Sequence, residues 1–321
     1  MDRQFKSALK NDFYSYIEFR KALSRSTRTT ISYLANLDRY ICATHPEATE
    51  LTEDLVTGWL CPRGNESITT LNERASFIRV LATYLSSIGK KAYVVPKKFY
   101  SSYSRSLPYL FTNDELRQLF RAIDADKDIP TFQGCILSTL LRMIYTCGLR
   151  PSEGLGILRE NVNLSTGEIH LLRTKNHKER LVVMSDDMLK LVYKYVRIRD
   201  VAYPDSIYFF PSPTGNAYSN DWLAENFRRY FFQIHSEDDP AELPRARVYD
   251  LRHLFASQRL VRWLNEGADL NVKLPYLRTY MGHRSMEETE YYIHILPESL
   301  TSSEAVDFDS MEMIIPEVAD D

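Results

Sequence analysis

The stretch from about Thr131 to Cys147 is apolar on almost every face, with Ile136, Leu137, Leu140, Leu141, Met143 and Ile144 in close succession. A helix of that kind cannot lie on a surface and has to be covered on several sides. The chain has no run of ~18 apolar residues, so the stretch predicts a core helix and not a membrane span. What can cover it follows from local patterning. Thr112 and Glu115 have the capping-box spacing of a helix through about Ala125. Gly148 stops the buried helix, and Pro151 suits the first position of the next. G-E-I-H-L-L-R-T-K-N-H-K-E-R-L-V-V-M-S reads as two strands joined by a polar turn, and S-I-Y-F-F as a short apolar strand. Ser185 caps a helix to about Ala202, an aromatic-rich helix spans Asn220 to His235, and another runs from about Asp250 to Glu266 and closes at Gly267. The sum is a mainly α domain with a small β-sheet, an α+β fold.

Residues 1 to about 90 read as a separate helical module. Leu9, Phe13 and Ile17 recur at four-residue steps in a first helix over about Lys6–Leu23. Ser26 and Thr27 are placed to cap a second, with Ile31, Leu34, Leu37 and Ile41 on one face. Thr52 caps a third around Glu53–Leu60; Ser67 opens a fourth, with the stripe Ile68, Leu71, Ala75, Ile78, Leu85 and Ile88, and Gly89 ends it. The stripes predict a small bundle core. Arg25, Arg28, Arg39, Arg74 and Arg79 fall off them and are candidates for phosphate contact. Lys97 and Lys98 join them from a basic linker rich in serine and tyrosine. The expected organisation is 1–90 helical module, 91–107 linker, 108–297 second domain, and 298–321 acidic tail.

A formal net charge of −3 over 321 residues argues against a polyanionic partner only until its placement is considered. Eight of the 43 acids lie in the last 24 residues, which hold no Lys or Arg; with those set aside the remainder is net +5. That balance is compatible with a phosphate-rich ligand. Cys42, Cys61, Cys135 and Cys147 form no C-x-x-C pair and are expected to be reduced packing residues. The N-terminus has no apolar signal region, so a cytoplasmic protein is expected.

Four short stretches carry chemistry. Arg150 stands in a tight turn between Gly148 and Pro151, either as a surface residue or as a buried anion clamp. Glu153 suits the first turn of the following helix. Arg252 offers a planar five-donor fork matched to phosphate oxygens. His283 follows Gly282 at a helix end, and Tyr292 comes nine residues later, so a short helix can bring a phenol near that imidazole.

Together, G-L-R-P-S-E (148–153), Y-D-L-R-H (249–253), M-G-H (281–283) and the tyrosine nine residues on resemble the boxes of the tyrosine recombinases, or phage integrase family. The resemblance spans about Leu107 to Leu296 with the boxes in the family's order. In the N-terminal module, S-x-x-T-x-x-x-Y-x-x-x-L at Ser26–Leu37 resembles the start of the family's core-binding domain. The resemblance implies catalytic roles for Arg150, Arg252, His283 and Tyr292, with Lys175 on the hairpin and Lys178 as the second choice. Tyr292-Ile293-His294 fits the family's nucleophile register, which favours Tyr292 over Tyr291. Glu153 orients the first arginine, and His253 is a supporting, hydrogen-bonded histidine. Tyr249 departs from the pattern, since the family's H-x-x-R begins with histidine. A phenol can hydrogen-bond a phosphate oxygen, but with a reference pKa of about 10 it is a poor proton shuttle.

The implied reaction is DNA transesterification through a 3′-phosphotyrosyl link, with no metal, ATP or other cofactor. The implied partners are double-stranded DNA and three further copies in a tetramer on two duplexes. Met311, Met313, Ile314, Ile315 and Val318 are available for the tail to dock on a neighbour. Two other readings stay open: a type IB-like topoisomerase, and a DNA-binding regulator of the same fold that no longer cleaves.

Overall fold

The computed structural model describes residues 4–97, 99–100, 107–127, 131–172, 179–239, 243 and 245–295. The chain divides into two compact units, Met1–Ser106 and Leu107–Asp321.

Among its described residues the first unit has four helices: α1 (Lys10–Ala22), α2 (Arg28–Thr44), α3 (Glu53–Leu60) and α4 (Ile68–Ser87). Their apolar stripes meet in one core containing Phe13, Leu34, Leu37, Ile41, Trp59 and Ile78. Thr52 and Ser67 cap α3 and α4 by accepting from Leu55 N and Thr70 N. Thr27 stands at the N-cap of α2 but makes no side-chain cap bond, contrary to expectation. Ile68 and Ile88 are exposed, because the ends of the α4 stripe project past the core. The linker's first residues pack onto this unit. Tyr93 N donates to Leu51 O, and Val95 is buried in the same core.

The second unit is built around α6 (Thr131–Cys147), which packs against α5 (Asn113–Ala125), α7 (Pro151–Leu155), α8 (Asp186–Ala202) and α10 (Val248–Asn265). Ile136, Leu137, Leu140, Leu141, Met143 and Ile144 are fully buried, as the all-round apolar pattern requires. The helix's one charge, Arg142, is buried too. Its guanidinium donates to Asp124 Oδ2 at 2.6 Å and lies 4.4 Å from the Phe120 ring centre. The Thr112–Glu115 capping box opens α5.

A three-stranded antiparallel sheet, β1 (Val162–Asn163), β2 (Glu168–Leu171) and β3 (Arg180–Val183), is ordered β1-β2-β3, with Ile169 opposite Val182. The expected strand at 206–210 contributes only a single bridge, Tyr208 to Leu158. The chain turns back at once through Ser212–Asn216, leaving Phe209 and Phe210 as core residues. Helix α9 (Asn220–Ile234) packs on α5. A smaller apolar cluster joins α10 to α11 (Leu270–Met281) and α12 (Glu287–Ile295) through Phe255, Leu260, Leu277, Met281 and Tyr292. Cys42 and Cys61 are exposed, so only Cys135 and Cys147 serve packing as expected. Among the described residues, no helix is long and apolar enough to cross a membrane.

Candidate active site

Two helix ends build the site. Helix α6 ends on Gly148 (φ 63°) and α11 on Gly282 (φ 63°), both left-handed. At the end of α11, Gly282 N donates to Thr279 O and His283 N to Arg278 O, a Schellman ending that only glycine enters without strain. Last-turn carbonyls need donors and carry the negative end of the helix dipole. Two guanidinium groups supply them. Arg252 donates to Gly148 O at 2.7 Å and to Met281 O at 2.5 Å, and Arg150 donates to Gly282 O at 2.8 Å. Arg150 is therefore a buried residue and not a surface turn residue, since its side chain is 11% exposed.

Glu153 holds these cations in register. Its carboxylate accepts from Arg150 N (2.9 Å) and Arg150 Nη1 (2.7 Å), and from both terminal nitrogens of Arg180 (2.8 and 2.7 Å). Arg252 Nη1 lies 3.9 Å away. Burial opposes the carboxylate's charge, but the Arg180 and Arg150 hydrogen bonds and charges outweigh it and hold the group at about 2. Arg252 is fully buried, which pulls its pKa below the usual arginine value. Its Nε–H has no partner among the described residues.

Helix periodicity sets the facing side. Tyr249, Arg252 and His253 are three and four residues apart on α10, and Thr289 and Tyr292 are three apart on α12. Tyr292 is 2% exposed. Its hydroxyl is 3.0 Å from His253 Nδ1, and its ring stacks on His283 with centres 5.8 Å apart and planes 18° apart. His283 Nδ1 is 2.8 Å from Thr289 Oγ1. Burial raises the Tyr292 phenol above its usual pKa, against the pull of Arg252. Burial, and then the neighbouring arginines, lower His283 to about 3 and His253 to about 4, so both rings are neutral near pH 7. Tyr249 is half-buried, edge-on to His253 at 4.9 Å, and near enough to Arg150 to interact with it electrostatically.

The structure thus gathers Arg150, Glu153, Tyr249, Arg252, His253, His283 and Tyr292. Tyr291 is only half-buried beside them. Lys175 and Lys178 lie outside the described residues. Arg180 and Thr289 escaped sequence reasoning. Arg180 shares the inward face of β3 with Val182, while Leu181 and Val183 are exposed, so strand alternation was the available signal. In the first unit, Arg74 is buried, pairs with Glu66 at 2.5 Å and lies over Trp59. Arg79 donates to Val95 O and Pro96 O, pinning the linker. Arg25, Arg28 and Lys97 are exposed, and Lys98 lies outside the described residues.

A helical domain with a small sheet, two arginines on helix-end carbonyls, and a buried tyrosine between two imidazoles mark the class of tyrosine recombinases. The model of the phage integrase family matches residues 110–299, and the chain belongs to that family. The integrase/recombinase-type protein y4rE of Sinorhizobium fredii is 32% identical over 190 residues, covering 58% of this chain and 59% of that protein. The chain therefore spans less than two thirds of that relative. A second Sinorhizobium fredii protein of the same description, y4rB, is 25% identical over 302 residues, 91% of this chain and 94% of the relative. Among solved structures, the XerH site-specific recombinase bound to palindromic difH substrate superposes with a TM-score of 0.62 at 20% identity, over 84% of this chain and 76% of that one, a likeness of fold.

Proposed function

We propose that the chain is a site-specific recombinase that exchanges DNA strands through a 3′-phosphotyrosyl intermediate. The observation that carries this reading is the Tyr292 phenol lying against His283 and within electrostatic reach of Arg252 and Arg150, which are held on the Gly148, Met281 and Gly282 carbonyls. Tyr292 Oη attacks the scissile phosphorus, and the 5′-oxygen leaves with a proton from Lys175. Negative charge grows on the non-bridging oxygens. Arg150 and Arg252 are held by helix-end carbonyls before any DNA arrives, so they stabilise that charge without reorganising. The unpaired Arg252 Nε–H is a donor that a phosphate oxygen would satisfy. In the tautomer in which His283 Nδ1 accepts from the Thr289 hydroxyl, the ring proton is on Nε2 and available to the same phosphate. Tyr249 keeps a binding role, its phenol able to hydrogen-bond a phosphate oxygen beside Arg150.

The helical unit grips duplex DNA through the exposed Arg25, Arg28 and Lys97, with Lys98 a candidate from the sequence, whereas Arg74 and Arg79 are engaged internally. Four copies act on two duplexes, the acidic tail lending its apolar residues to a neighbour. The test begins by sequencing DNA captured covalently on the protein, to give the target site. On a nicked suicide duplex carrying that site, Tyr292→Phe loses all covalent adduct and Tyr291→Phe keeps it. The reverse result moves the nucleophile by one residue, and tight binding without any adduct overturns the enzymatic reading. Relaxation of supercoils without exchange would favour the topoisomerase reading.

A further inference from the structure

In the family pattern the histidine of H-x-x-R precedes the second arginine by three residues, and this chain has Tyr249 there. A neutral phenol is a far weaker proton acceptor than an imidazole, so the family's proton acceptor is missing from that place. The nucleophile nevertheless starts as a buried phenol whose pKa lies above its usual value. Something else has to receive its proton.

Resting on the reading above, we infer that His253 is a catalytic residue: its Nδ1 orients the Tyr292 hydroxyl and accepts its proton. Geometry separates the two imidazoles that touch Tyr292. His283 lies flat against the ring, planes 18° apart, and its Nδ1 is committed to Thr289 at 2.8 Å. A stacked ring cannot point a lone pair at the phenolic hydrogen. His253 is tilted by 55° to the Tyr292 ring and has Nδ1 3.0 Å from the hydroxyl oxygen. Its ring is framed by Tyr249, Arg247 and Arg252 on its own helix, by Tyr291 and Tyr292 on α12, and by His283 beyond α11. Burial and the two arginines keep the ring neutral, which leaves one nitrogen with a free lone pair. A phosphodiester bound between the arginines brings negative charge to the same place and raises the ring's basicity as the reaction needs it.

The steps balance. In cleavage the Tyr292 O–H bond breaks, its proton passes to His253 Nδ1, and the phenolic oxygen bonds to phosphorus. The P–O5′ bond breaks, and the leaving oxygen takes a proton from Lys175. In resealing the incoming 5′-hydroxyl gives its proton to Lys175, the P–O bond to Tyr292 breaks, and the His253 imidazolium returns its proton to the phenol.

The test is the rate of adduct formation on the nicked suicide duplex, measured with a normal 5′-oxygen and with a 5′-bridging sulfur, which leaves without being protonated. His253→Asn preserves a hydrogen-bonding side chain but cannot take a proton, and its thermal melt establishes that it folds. It is expected to slow cleavage by roughly 10²–10⁴-fold on both substrates. Lys175→Ala is expected to recover on the sulfur substrate alone. Added imidazole is expected to restore part of the rate to His253→Ala. With wild type on the sulfur substrate, the rate is expected to fall as pH drops and His253 takes a proton from solvent. His253→Asn cleaving within about threefold of wild type, or recovering on the sulfur substrate, overturns the inference. So does a wild-type pH profile that stays flat down to about 4, where His253 takes up its proton. A wild type that forms no adduct would instead strike the proposed function.

Discussion

Glu153→Gln removes the charge on which the site's cations converge. The wild-type carboxylate accepts four hydrogen bonds, three from guanidinium nitrogens and one from a backbone amide. The side chains of both Glu153 and Arg180 are 7% exposed, so solvent cannot replace the lost anion. Removing one member of a buried ion pair typically costs about 3–5 kcal/mol, and the amide oxygen retained by Gln places this case near the lower end, about 3 kcal/mol. For a unit of this size that lowers the melting temperature by roughly 6–12 °C. The assay is urea and thermal unfolding followed by tryptophan fluorescence in a Trp59→Phe background, so that Trp222 and Trp263 report the second unit. Arg180→Met is expected to destabilise similarly, and the double variant by less than the sum, with a coupling of about 2 kcal/mol. The acid limb provides a second reading. A carboxylate held at about 2 contributes its full stability above its unfolded pKa near 4.5 and loses it as pH falls toward 2. Glu153→Gln abolishes that part of the slope. A melting shift under about 2 °C, or strict additivity with Arg180→Met, would refute the carboxylate as the hub.

Other consequences are equally open to measurement. Gly148→Ala must hold a left-handed residue and put a Cβ 2.5 Å from the Phe255 ring. It is expected to cost about 2–4 kcal/mol, read from urea midpoints. Gly282→Ala meets Arg180 Nη1 at 3.1 Å and is expected to cost less, about 1–2 kcal/mol, while adduct formation falls because the Gly282 carbonyl positions Arg150. His253 and His283 are held neutral at about 4 and 3 by burial and neighbouring arginines, against about 6.5 when unfolded. The unfolded chain therefore binds more protons below pH 6.5. Stability is intact above that pH and declines as pH falls toward 4 and 3, and His253→Asn flattens the upper part of the decline. In the first unit, Arg74→Ala is expected to lose about 2–4 kcal/mol, because the change empties a buried site over Trp59 and strips Glu66 of its partner. Arg25→Ala and Arg28→Ala are expected to stay within about 0.5 kcal/mol of wild type and to weaken DNA binding with a shallower salt dependence.

Much of the framework was legible because it is written locally. The all-round apolar pattern of Ile136 to Ile144 required a central helix, and α6 is that helix. Thr52, Ser67, Thr112 and Ser185 announced helix starts, and all four cap through their side chains. The boxes around Arg150, Arg252, His283 and Tyr292 named side chains that the fold brings together, and the nine-residue spacing anticipated the His283–Tyr292 contact, but nothing in it said which carbonyls the arginines would take. Arg180 went unread because a charged residue in a polar hairpin looks solvated, and only the α7 carboxylate beside it makes it interior. Arg74 misled in the same way: it lies off the apolar stripe, yet Trp59 and Glu66 cover it. His253 was legible as a hydrogen-bonded histidine, but its partner on α12 was not.

By itself the sequence determined the helices, their capped ends, the two left-handed glycines and the identity of the cationic and phenolic groups, since each depends on residues within a turn or two along the chain. Tertiary structure alone decided which charges are buried, which carbonyl receives which arginine, and which imidazole faces the tyrosine. Those outcomes depend on α6, α10, α11 and α12 meeting across more than a hundred residues of chain, as Arg150 does with Gly282. No local pattern encodes the environment that sets the charge and orientation of a buried group.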